Sequence, residues 1–551
     1  MTLISRKTRK TFLARTAFWS TLRCGEMSGL KRHILVSCLL LGFAPAVRAA
    51  DLLDQIRKEN RLLWGGDQEG GGPYIFPRED NPAEVAGFEV ELAARLGDLL
   101  KVRPEFSQGQ WDKMPDLLRT GKIHIILNGY EFTPERTAFM DSSVPYYIYD
   151  LQLLARADDS SIRSWDDLKR LHAGKKASIG VLTASAADTY ATNFCRDVCE
   201  VVRYDGTTDA MREVETTKLD ATLQDGPIAA FYGPRFPKLR NVGEPVAPGY
   251  YVIYVRKGER ALLKVLNEAL IFMVHNGDLE RIYRKYGMWS DRQKELTAIA
   301  GNAKFYGYDA TLAATVDRDA ATPDTPVTLG KPEHGWAIVA RYGGILLQSA
   351  GLTVILSVLS FPIAIVVGLL VAIGRLYGPR LIRAPLAAYV EFLRGTPLML
   401  QLYFVFFFLP EVGITIPAFW TAIAGLAINY SAYESEIYRA GLQAVPRGQM
   451  EAALSLGMSR PTAIRRILVP QAFRIVIPPV VNDFIALFKD TSVCSVVTLV
   501  ELTKRFSVLS LSTQATVELM LMTGFLYLAM SYPMSVVSRR LEKHLGLEPA
   551  L

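Results

Sequence analysis

Three side chains in the first half of the chain could bind the charged ends of a small zwitterion. Arg136 carries a planar guanidinium whose parallel N–H donors match the two oxygens of a carboxylate. Ser185 stands at the expected start of a helix, where its hydroxyl and free backbone N–H groups also favour an anion. Asp225 can accept hydrogen bonds from an ammonium group, and the rings of Trp111 and Tyr74 could enclose the ligand.

Each of these residues also has a purely structural interpretation. Arg136 follows a Thr-Pro-Glu turn and could form a surface salt bridge, Trp111 could belong to the core, and Asp225 could cap a helix. Their positions favour binding, because each one comes close to the end of an expected strand.

The elements that must position these residues alternate between strand and helix patterns from Leu52 to Trp289. FEVELAARLGDLL (88–100) has the spacing of an amphipathic helix. Short apolar runs predict strands at RLLWGG (61–66), KIHIILN (122–128), ASIGVL (177–182) and DATLQ (220–224). This alternation predicts an α/β domain with mainly parallel strand pairing, in which ligands bind beyond the carboxyl ends of the strands.

Several motifs follow these strands in a specific order. They are GDQEGGGPYIF (66–76) leading to GFEVELA (87–93), Trp111, NGYEFTPERTAFMDSSVPYY (128–147), IGVLTASAADTY (179–190) and KLDATLQDGPIAAFY (218–232). Their order and spacing resemble the type II periplasmic binding proteins for polar amino acids, which include the glutamine and lysine/arginine/ornithine binders. The resemblance covers about residues 60 to 289 and implies a two-lobed α/β binding domain, here assigned to residues 50–290.

The resemblance also implies a set of ligand-binding residues. By motif position they are Asp67, Tyr74, Trp111, Gly129, Glu131, Thr133, Arg136, Ser185, Gln224 and Asp225. Within this set, the resemblance places Asp67 and Gln224 at the side-chain end of the ligand, and it gives the carbonyl of Gly129 a contact as well.

The sequence departs from the family pattern in the pocket. Glu131 stands where the family usually has Ser or Thr, Leu182 stands where a Lys or Gln can occur, and Ala184 replaces the usual Gly. If Glu131 pairs with Arg136, Asp67 and Gln224 are left to meet a side-chain amide such as that of glutamine. If Glu131 instead faces the ligand, two acids favour lysine or arginine, because an unpaired buried charge is costly. We therefore predict a neutral polar or basic L-amino acid, with glutamine slightly ahead.

The N-terminus predicts export. Lys31, Arg32 and His33 precede the apolar run 34–43, and small residues at Val47-Arg48-Ala49 suit a signal peptidase. We assign residues 1–49 to a signal peptide, treat the residues before Met27 as an over-called start, and expect the mature chain to begin near Ala50. An oxidising compartment makes a disulfide between Cys195 and Cys199 plausible, although two unpaired thiols are nearly as plausible.

The second half predicts a helical membrane domain at 343–545, joined by an Ala-, Thr-, Asp- and Pro-rich tether at 291–342. Five apolar segments predict spans near 343–374, 386–410, 412–433, 475–500 and 512–537. Arginine-rich stretches after the first, third and fifth spans predict a cytoplasmic location for those links and an outside N-terminus. Lys489, Lys504 and Arg505 on the outer side are exceptions to this pattern.

EAALSLGMSRPTAIRRILVP (451–470) lies in one of these cytoplasmic links. Its order of EAA, three residues, Gly, nine residues and I-x-x-P resembles the coupling loop of bacterial ABC importer permeases. FLRGTPLMLQLYF (392–404), SAYESEIYRAG (431–441), AVPRGQ (444–449) and LFKDTS (487–492) resemble the polar amino acid branch of these permeases, and the match covers about 343 to 540.

The resemblance implies that this loop contacts an ATPase through Glu451, Ala452, Ala453, Gly457 and Pro470. We expect Gly457 to adopt a left-handed turn that ends a short helix, and Pro470 to stop the following helix. Asn482 and Asp483 fall in or beside the fourth span, where they could line a pathway or lie at the membrane surface.

No G-x-x-x-x-G-K-[ST] phosphate loop occurs in the sequence, so we expect a separate cytoplasmic ABC ATPase dimer and a pair of copies of this chain in the inner membrane. The arginines gather beside apolar segments, which argues against nucleic acid. The histidines lack metal-ligand spacing, and no cofactor or catalytic set is expected.

Two other membrane architectures are weaker alternatives. A ligand-gated channel of the glutamate-receptor type would insert its pore between the lobes, whereas here both lobes precede every span. A membrane sensor would need a cytoplasmic signalling domain, and only about a dozen residues follow the last span.

Overall fold

The computed structural model describes residues 51–544 apart from Gly70, Glu79, 171–174, Asp197, 302–334 and Gln514. The expected signal peptide at 1–49 and most of the expected tether therefore lie outside the described residues.

An eight-stranded mixed sheet organises the first part of the chain. Its strands are β1 (Arg61–Gly66), β4 (Arg103–Gln108), β5 (Ile125–Ile126), β6 (Met140–Arg156), β7 (Ser178–Leu182), β8 (Glu200–Tyr204), β9 (Ala221–Asp225) and β10 (Leu239–Arg256). They lie side by side in the order β4-β1-β5-β10-β6-β9-β7-β8. A separate pair is formed by β2 (Phe76–Pro77) and β3 (Val85–Ala86).

Two long strands divide this sheet into two lobes. β6 and β10 pair with each other in antiparallel fashion, and each also pairs antiparallel with a neighbour on its outer side. Residues 52–139 form the first lobe around β1, β4 and β5, and residues 157–238 form the second lobe around β7, β8 and β9. Pairing within each lobe is parallel, as predicted, but the centre of the sheet is antiparallel because both crossing strands serve the two lobes.

Helices cover both faces of the sheet. They are α1 (Leu52–Glu59), α2 (Phe88–Leu100), α3 (Met114–Arg119), α4 (Pro134–Thr137), α5 (Ala186–Cys195), α6 (Thr207–Glu215), α7 (Gly226–Tyr232), α8 (Arg260–His275), α9 (Asp278–Lys285) and α10 (Glu295–Gly301). α2 spans the residues predicted for it, and Phe88, Leu92 and Leu96 on its apolar face are buried. The helix ends where Lys101 adopts a left-handed conformation.

The expected tether does not begin at residue 291. A short 3₁₀ helix at Asp291–Lys294 and helix α10 pack on the binding lobes instead. The Gln293 side chain bonds both the N–H and the carbonyl of Ile148, and Leu296 and Ala300 are buried. The tether start that composition predicted at residue 291 was wrong, because the side chains of Gln293, Leu296 and Ala300 suffice to anchor these short helices on the lobes.

Cys195 and Cys199 form a disulfide at the C-terminal end of α5. The structure therefore favours the disulfide over the two unpaired thiols that the sequence left nearly as plausible. Cys494, in the membrane part, is free and buried.

The second part of the chain is helical. Its helices are α11 (Trp336–Tyr377), α12 (Arg380–Gly395), α13 (Leu398–Tyr403), α14 (Ala418–Ala444), α15 (Arg447–Ser455), α16 (Arg460–Ala463), α17 (Val469–Asp490), α18 (Leu502–Thr513) and α19 (Thr516–His544). Within the described residues, the helical segments Trp336–Tyr377, Arg460–Val497 and Thr516–Lys543 are long and apolar enough to cross a membrane.

The second expected span is a bent pair, because Arg380–Gly395 and Leu398–Val412 meet at 110°. Pro397 lies in the break, and a proline disfavours helical geometry in the residue before it. Counting this pair gives up to four candidates in the described part of the chain, where five spans were expected. The third expected span, which corresponds to α14, is not among them.

Candidate functional site

A small cavity between the two lobes lies at the carboxyl ends of β5, β7 and β9. Its lining includes these predicted site residues: Tyr74, Trp111, Gly129, Glu131, Ser185, Gln224 and Asp225. Its volume is 30 Å³, whereas pockets for small ligands typically measure about 300–1,000 Å³. A ligand the size of an amino acid therefore requires the lobes, or side chains between them, to move.

Asp225 sits at the end of β9, immediately before α7, and faces two tyrosines. The Tyr251 hydroxyl donates to Asp225 Oδ2, and the Tyr74 hydroxyl lies 3.4 Å from the same oxygen. The two hydroxyls are 2.7 Å apart. Burial, followed by the negative charge of Glu131, raises the pKa of Asp225 to about 7. A cation placed here would favour the ionised carboxylate.

Arg136 lies over two aromatic rings of the first lobe. Its guanidinium carbon is 5.0 Å from the Trp111 ring centroid and 4.5 Å from that of Tyr130. Nη1 donates to the Glu131 carboxylate at 2.6 Å and to the Glu131 carbonyl at 2.9 Å. Nη2 lies 3.3 Å from the carbonyl of Ala184, which belongs to the second lobe. The guanidinium is thus paired within the chain.

Glu131 joins the same two lobes through its other oxygen. The backbone N–H of Ala186, in the first turn of α5, donates to Glu131 Oε1 at 2.8 Å. The guanidinium and the helix N-terminus are the donors that the sequence assigned to a ligand carboxylate. In this closed arrangement both donors hold a carboxylate that belongs to the chain itself, and the side chain of Glu131 is buried.

Ala184 explains part of the local geometry. Its φ of +60° lies in the left-handed region, which costs an L-residue roughly 1–2 kcal/mol and favours glycine. The turn points the Ala184 carbonyl toward Arg136, and the Ala184 N–H lies 3.1 Å from Asp188 Oδ2. The glycine that the family pattern expects at this position would adopt the same conformation without this cost.

Two predicted hydroxyls are engaged in helix caps. Ser185 accepts from the N–H of Asp188 at 3.2 Å and donates to the carbonyl of Leu182 at 2.8 Å. Thr133 accepts from the N–H of Arg136 at 3.3 Å, so it starts the short helix that carries the guanidinium. Both residues position the site, whether or not they also contact a ligand.

Gly129 lies against Tyr74 with a φ of +59°, and an added Cβ would come within 2.8 Å of the tyrosine ring. Its N–H donates to the buried carboxylate of Glu89 at 2.6 Å. Burial raises the pKa of Glu89 to about 7. Glycine is therefore needed here because the backbone approaches an aromatic wall of the cavity closely.

Asp67 lies beside the central cavity, in a second cavity of 170 Å³ that we call the acidic mouth. The lining of the acidic mouth consists of Asp67, Glu69, Gln110, Trp111, Asp112, Leu182, Thr183 and Asp205. Trp111 and Leu182 line both cavities, so the two adjoin. Asp67 accepts from the Gln108 amide at 2.7 Å and from the N–H of Trp111 at 2.9 Å.

Gln224 lines the central cavity, but its amide nitrogen is already bonded within the second lobe. It donates to Thr222 Oγ1 at 2.7 Å and lies 3.3 Å from the carbonyl of Thr207. The structure thus separates Gln224 and Asp67, which the sequence had placed together at the side-chain end of the ligand. Gln224 lies in the central cavity, and Asp67 lies in the acidic mouth.

Sequence reasoning missed Tyr251, which bonds Asp225 and stacks on Tyr149 at a centroid distance of 4.6 Å. It also missed Asn128, whose side-chain oxygen accepts from the N–H of Asp67 at 2.8 Å. Asn128 begins one of the quoted motifs and could have been found there. Tyr251 sits in a run of aromatic and aliphatic residues, and no local signal distinguishes it.

The predicted coupling segment forms helix α15, followed by a turn. Glu451 and Ala452 are exposed, Ala453 is buried, and Gly457 has a φ of +79°, the left-handed turn expected for it. Pro470 does not stop a helix, contrary to expectation. It lies in the first turn of α17, directly after a π-helical turn at Ile464–Leu468. A π-turn relaxes the normal hydrogen-bond ladder and accommodates the missing proline N–H.

Asp483 lines a third cavity, of 610 Å³, within the membrane region. Asn429, Tyr430, Tyr433, Asp490 and Arg394 contribute polar groups to its wall. Asn482 is exposed and is not among the lining residues. The structure therefore separates the two neighbours that the sequence had grouped together.

Two protein families match this chain. Residues 67–288 match the bacterial extracellular solute-binding proteins, family 3, and residues 364–546 match the binding-protein-dependent transport system inner membrane component. Among solved structures, the ancestral amino acid-binding protein AncCDT-1 is 28% identical over 43% of this chain and 99% of its own, with a TM-score of 0.40.

Curated relatives match the membrane part. The L-cystine transport system permease protein TcyB of Bacillus subtilis is 34% identical and covers 38% of this chain and 91% of its own. The glutamine transport system permease protein GlnP of Escherichia coli K12 is 31% identical and covers 39% of this chain and 99% of its own. The arginine transport system permease protein ArtQ of Bacillus subtilis is 31% identical and covers 36% of this chain and 92% of its own. This chain therefore belongs to the amino-acid permeases of binding-protein-dependent ABC transporters, and it carries a solute-binding domain ahead of its membrane helices.

Proposed function

We propose that this chain imports a polar L-amino acid across the inner membrane, with the two lobes on the outer side as its receptor. The observation that carries the proposal is that Arg136 and Asp225, suited to the two charged ends of an amino acid, lie on opposite lobes of a domain that precedes a permease in one chain. A tethered receptor reaches a high effective concentration at its own permease.

Ligand binding begins with an exchange of carboxylates. The ligand carboxylate replaces that of Glu131 on Arg136 and on the N–H of Ala186, and its ammonium takes a place at Asp225. This exchange conserves the charge-assisted bonds, so affinity depends on the difference between two similar carboxylates. The aromatic faces of Trp111 and Tyr74 exclude water around the ligand.

The cargo that we favour is glutamine, with a basic amino acid second. Gln224 lies in the central cavity and can meet the side-chain amide of glutamine. The acidic mouth supports the second choice, because Asp67, Glu69 and Asp205 would attract a longer cationic side chain.

Transport requires a cytoplasmic ABC ATPase dimer acting on two copies of this chain. In the family the ATPase is a separate subunit. The exposed face of α15, with Glu451 and Ala452, supplies the surface for it, and the turn at Gly457 fixes the end of that helix. The cavity beside Asp483 supplies a polar path between the helices.

One experiment tests the import proposal. Membrane vesicles that contain this chain and an ABC ATPase subunit of the same transporter are assayed for uptake of labelled glutamine and arginine, with and without ATP. ATP-dependent accumulation of either amino acid supports import. Equilibration without ATP would instead indicate a channel, and binding without either would indicate a sensor.

A further inference from the structure

Helix α18 lies against both lobes of the binding domain. It packs on β2 of the first lobe and on α6 of the second. Lys504, in its first turn, places Nζ 2.6 Å from the carboxylate of Glu69. Only 6% of the lysine side chain and 10% of the glutamate side chain are exposed. Lys504 lies outside the candidate membrane spans, so this ion pair belongs to the contact between receptor and permease.

Lys504 pairs with a carboxylate of the first lobe, and a carboxylate of the second lobe also stabilises its charge. Glu69 and Asp67 follow β1 of the first lobe, and Asp205 follows β8 of the second. Burial lowers the pKa of the Lys504 ammonium, but Asp67, Glu69 and Asp205 outweigh burial and keep that pKa above its ordinary value. Immediately before α18, Glu501 accepts from the backbone N–H of Lys504 at 2.7 Å. The ammonium thus enters a site that exists when the lobes are together.

The same carboxylates form the acidic mouth, which adjoins the ligand cavity. A ligand held by Arg136 and Asp225 would direct a long side chain toward that mouth, past Trp111 and Leu182. A cationic side chain would there meet Asp67 and Glu69, which already face Lys504. The Lys504 ammonium and a cationic ligand side chain would repel each other at close range, so only one of them can occupy this cluster of carboxylates.

Three further contacts between described residues each reach a single lobe. On the second lobe, Arg235 Nη1 donates to the carbonyl of Ser512 at 2.5 Å, and Arg212 Nη1 donates to Thr516 Oγ1 at 2.6 Å. On the first lobe, Lys122 Nζ donates to the carbonyl of Ile416 at 2.6 Å. These contacts orient the receptor on the permease, but each is compatible with lobes that have separated.

We propose that Lys504 is a docking residue that binds the closed lobes and competes with a cationic ligand side chain for the acidic mouth. The docking part follows from the ion pair, and the competition part rests on the proposed import of amino acids. Docking through Lys504 favours the closed form while the ligand is neutral. With a cationic ligand, docking expels the side chain and thereby promotes release into the permease.

The docking part is tested in the full chain without any ligand. Cysteines at Arg212 and Thr516 report the contact through a short bismaleimide, since Cys494 is buried and Cys195 is disulfide-bonded. Lys504→Met should lower the cross-linking yield at least about tenfold, as expected for losing one partner of a buried charged contact. Lys489→Met, at an exposed lysine near the end of α17, is the control and should leave the yield unchanged.

A charge exchange separates loss of docking from loss of folding. Lys504→Glu should abolish cross-linking, and adding Glu69→Lys to that variant should restore most of it. Equal yields for Lys504→Met and Lys489→Met would overturn the proposal, as would an exchange variant that fails to recover.

The competition part is tested by equilibrium binding of labelled arginine and glutamine to the full chain. Lys504→Met should tighten arginine binding severalfold without tightening glutamine binding. A parallel change for both amino acids would overturn the competition. If neither amino acid bound any variant while the cross-linking results held, the proposed cargo would be wrong and the docking role would stand.

Discussion

Replacing Glu131 by threonine should strengthen amino acid binding to the receptor lobes. In the closed structure Glu131 accepts from Arg136 Nη1 at 2.6 Å and from the N–H of Ala186 at 2.8 Å. A ligand carboxylate needs the same two donors, so it must first displace this side chain. The family pattern usually has Ser or Thr at this position, and a threonine would remove the carboxylate from both donors.

The size of the effect follows from the bonds that the ligand no longer has to break. A hydrogen bond to a charged group is worth about 1.5–3 kcal/mol. If the ligand recovers one such bond net, affinity increases by about 10- to 100-fold. The unliganded protein should be less stable, because the guanidinium of Arg136, whose side chain is only 15% exposed, loses its carboxylate, which costs up to about 3–5 kcal/mol.

Calorimetric titration of the full chain with glutamine and arginine measures the affinity, and thermal unfolding with and without ligand measures the stability. Glu135→Thr is the matched control, since Glu135 is exposed and lies in the same short helix as Arg136. Unchanged or weaker binding by Glu131→Thr would refute the exchange of carboxylates. It would place Glu131 in contact with a cationic part of the ligand instead.

Four further outcomes are expected. Ligand affinity should fall as the pH drops below about 7, because Asp225 must be ionised to hold an ammonium and its pKa is raised to about 7. In binding titrations from pH 5 to 8, Asp225→Asn should bind the ligand weakly and without this pH dependence. Ala184→Gly should raise the unfolding free energy by about 1 kcal/mol in denaturant titrations, because it removes the left-handed alanine. Gly457→Pro should preserve ligand binding and abolish ATP-driven uptake, whereas normal uptake would exclude this turn from coupling. Asp483→Leu should impair uptake with binding intact, and normal transport would remove Asp483 from the pathway.

Local patterns determined those parts of the structure that depend on neighbours in the chain. The periodicity of 88–100 specified an amphipathic helix, because its buried positions recur at the helical spacing. Gly457 and the helix start at Ser185 were also readable from sequence, since a left-handed turn and an N-cap each require particular residue types within a few positions.

Tertiary structure alone decided which charges meet. Nothing in the sequence pairs Lys504 with Glu69, because they lie in different parts of the chain and have no shared periodicity. The antiparallel crossing of β6 and β10 likewise depends on two distant strands finding one register. The sequence left open whether Glu131 faces the ligand or Arg136. Its burial beside the α5 N-terminus decides this, because a carboxylate removed from water must take the nearest donors available.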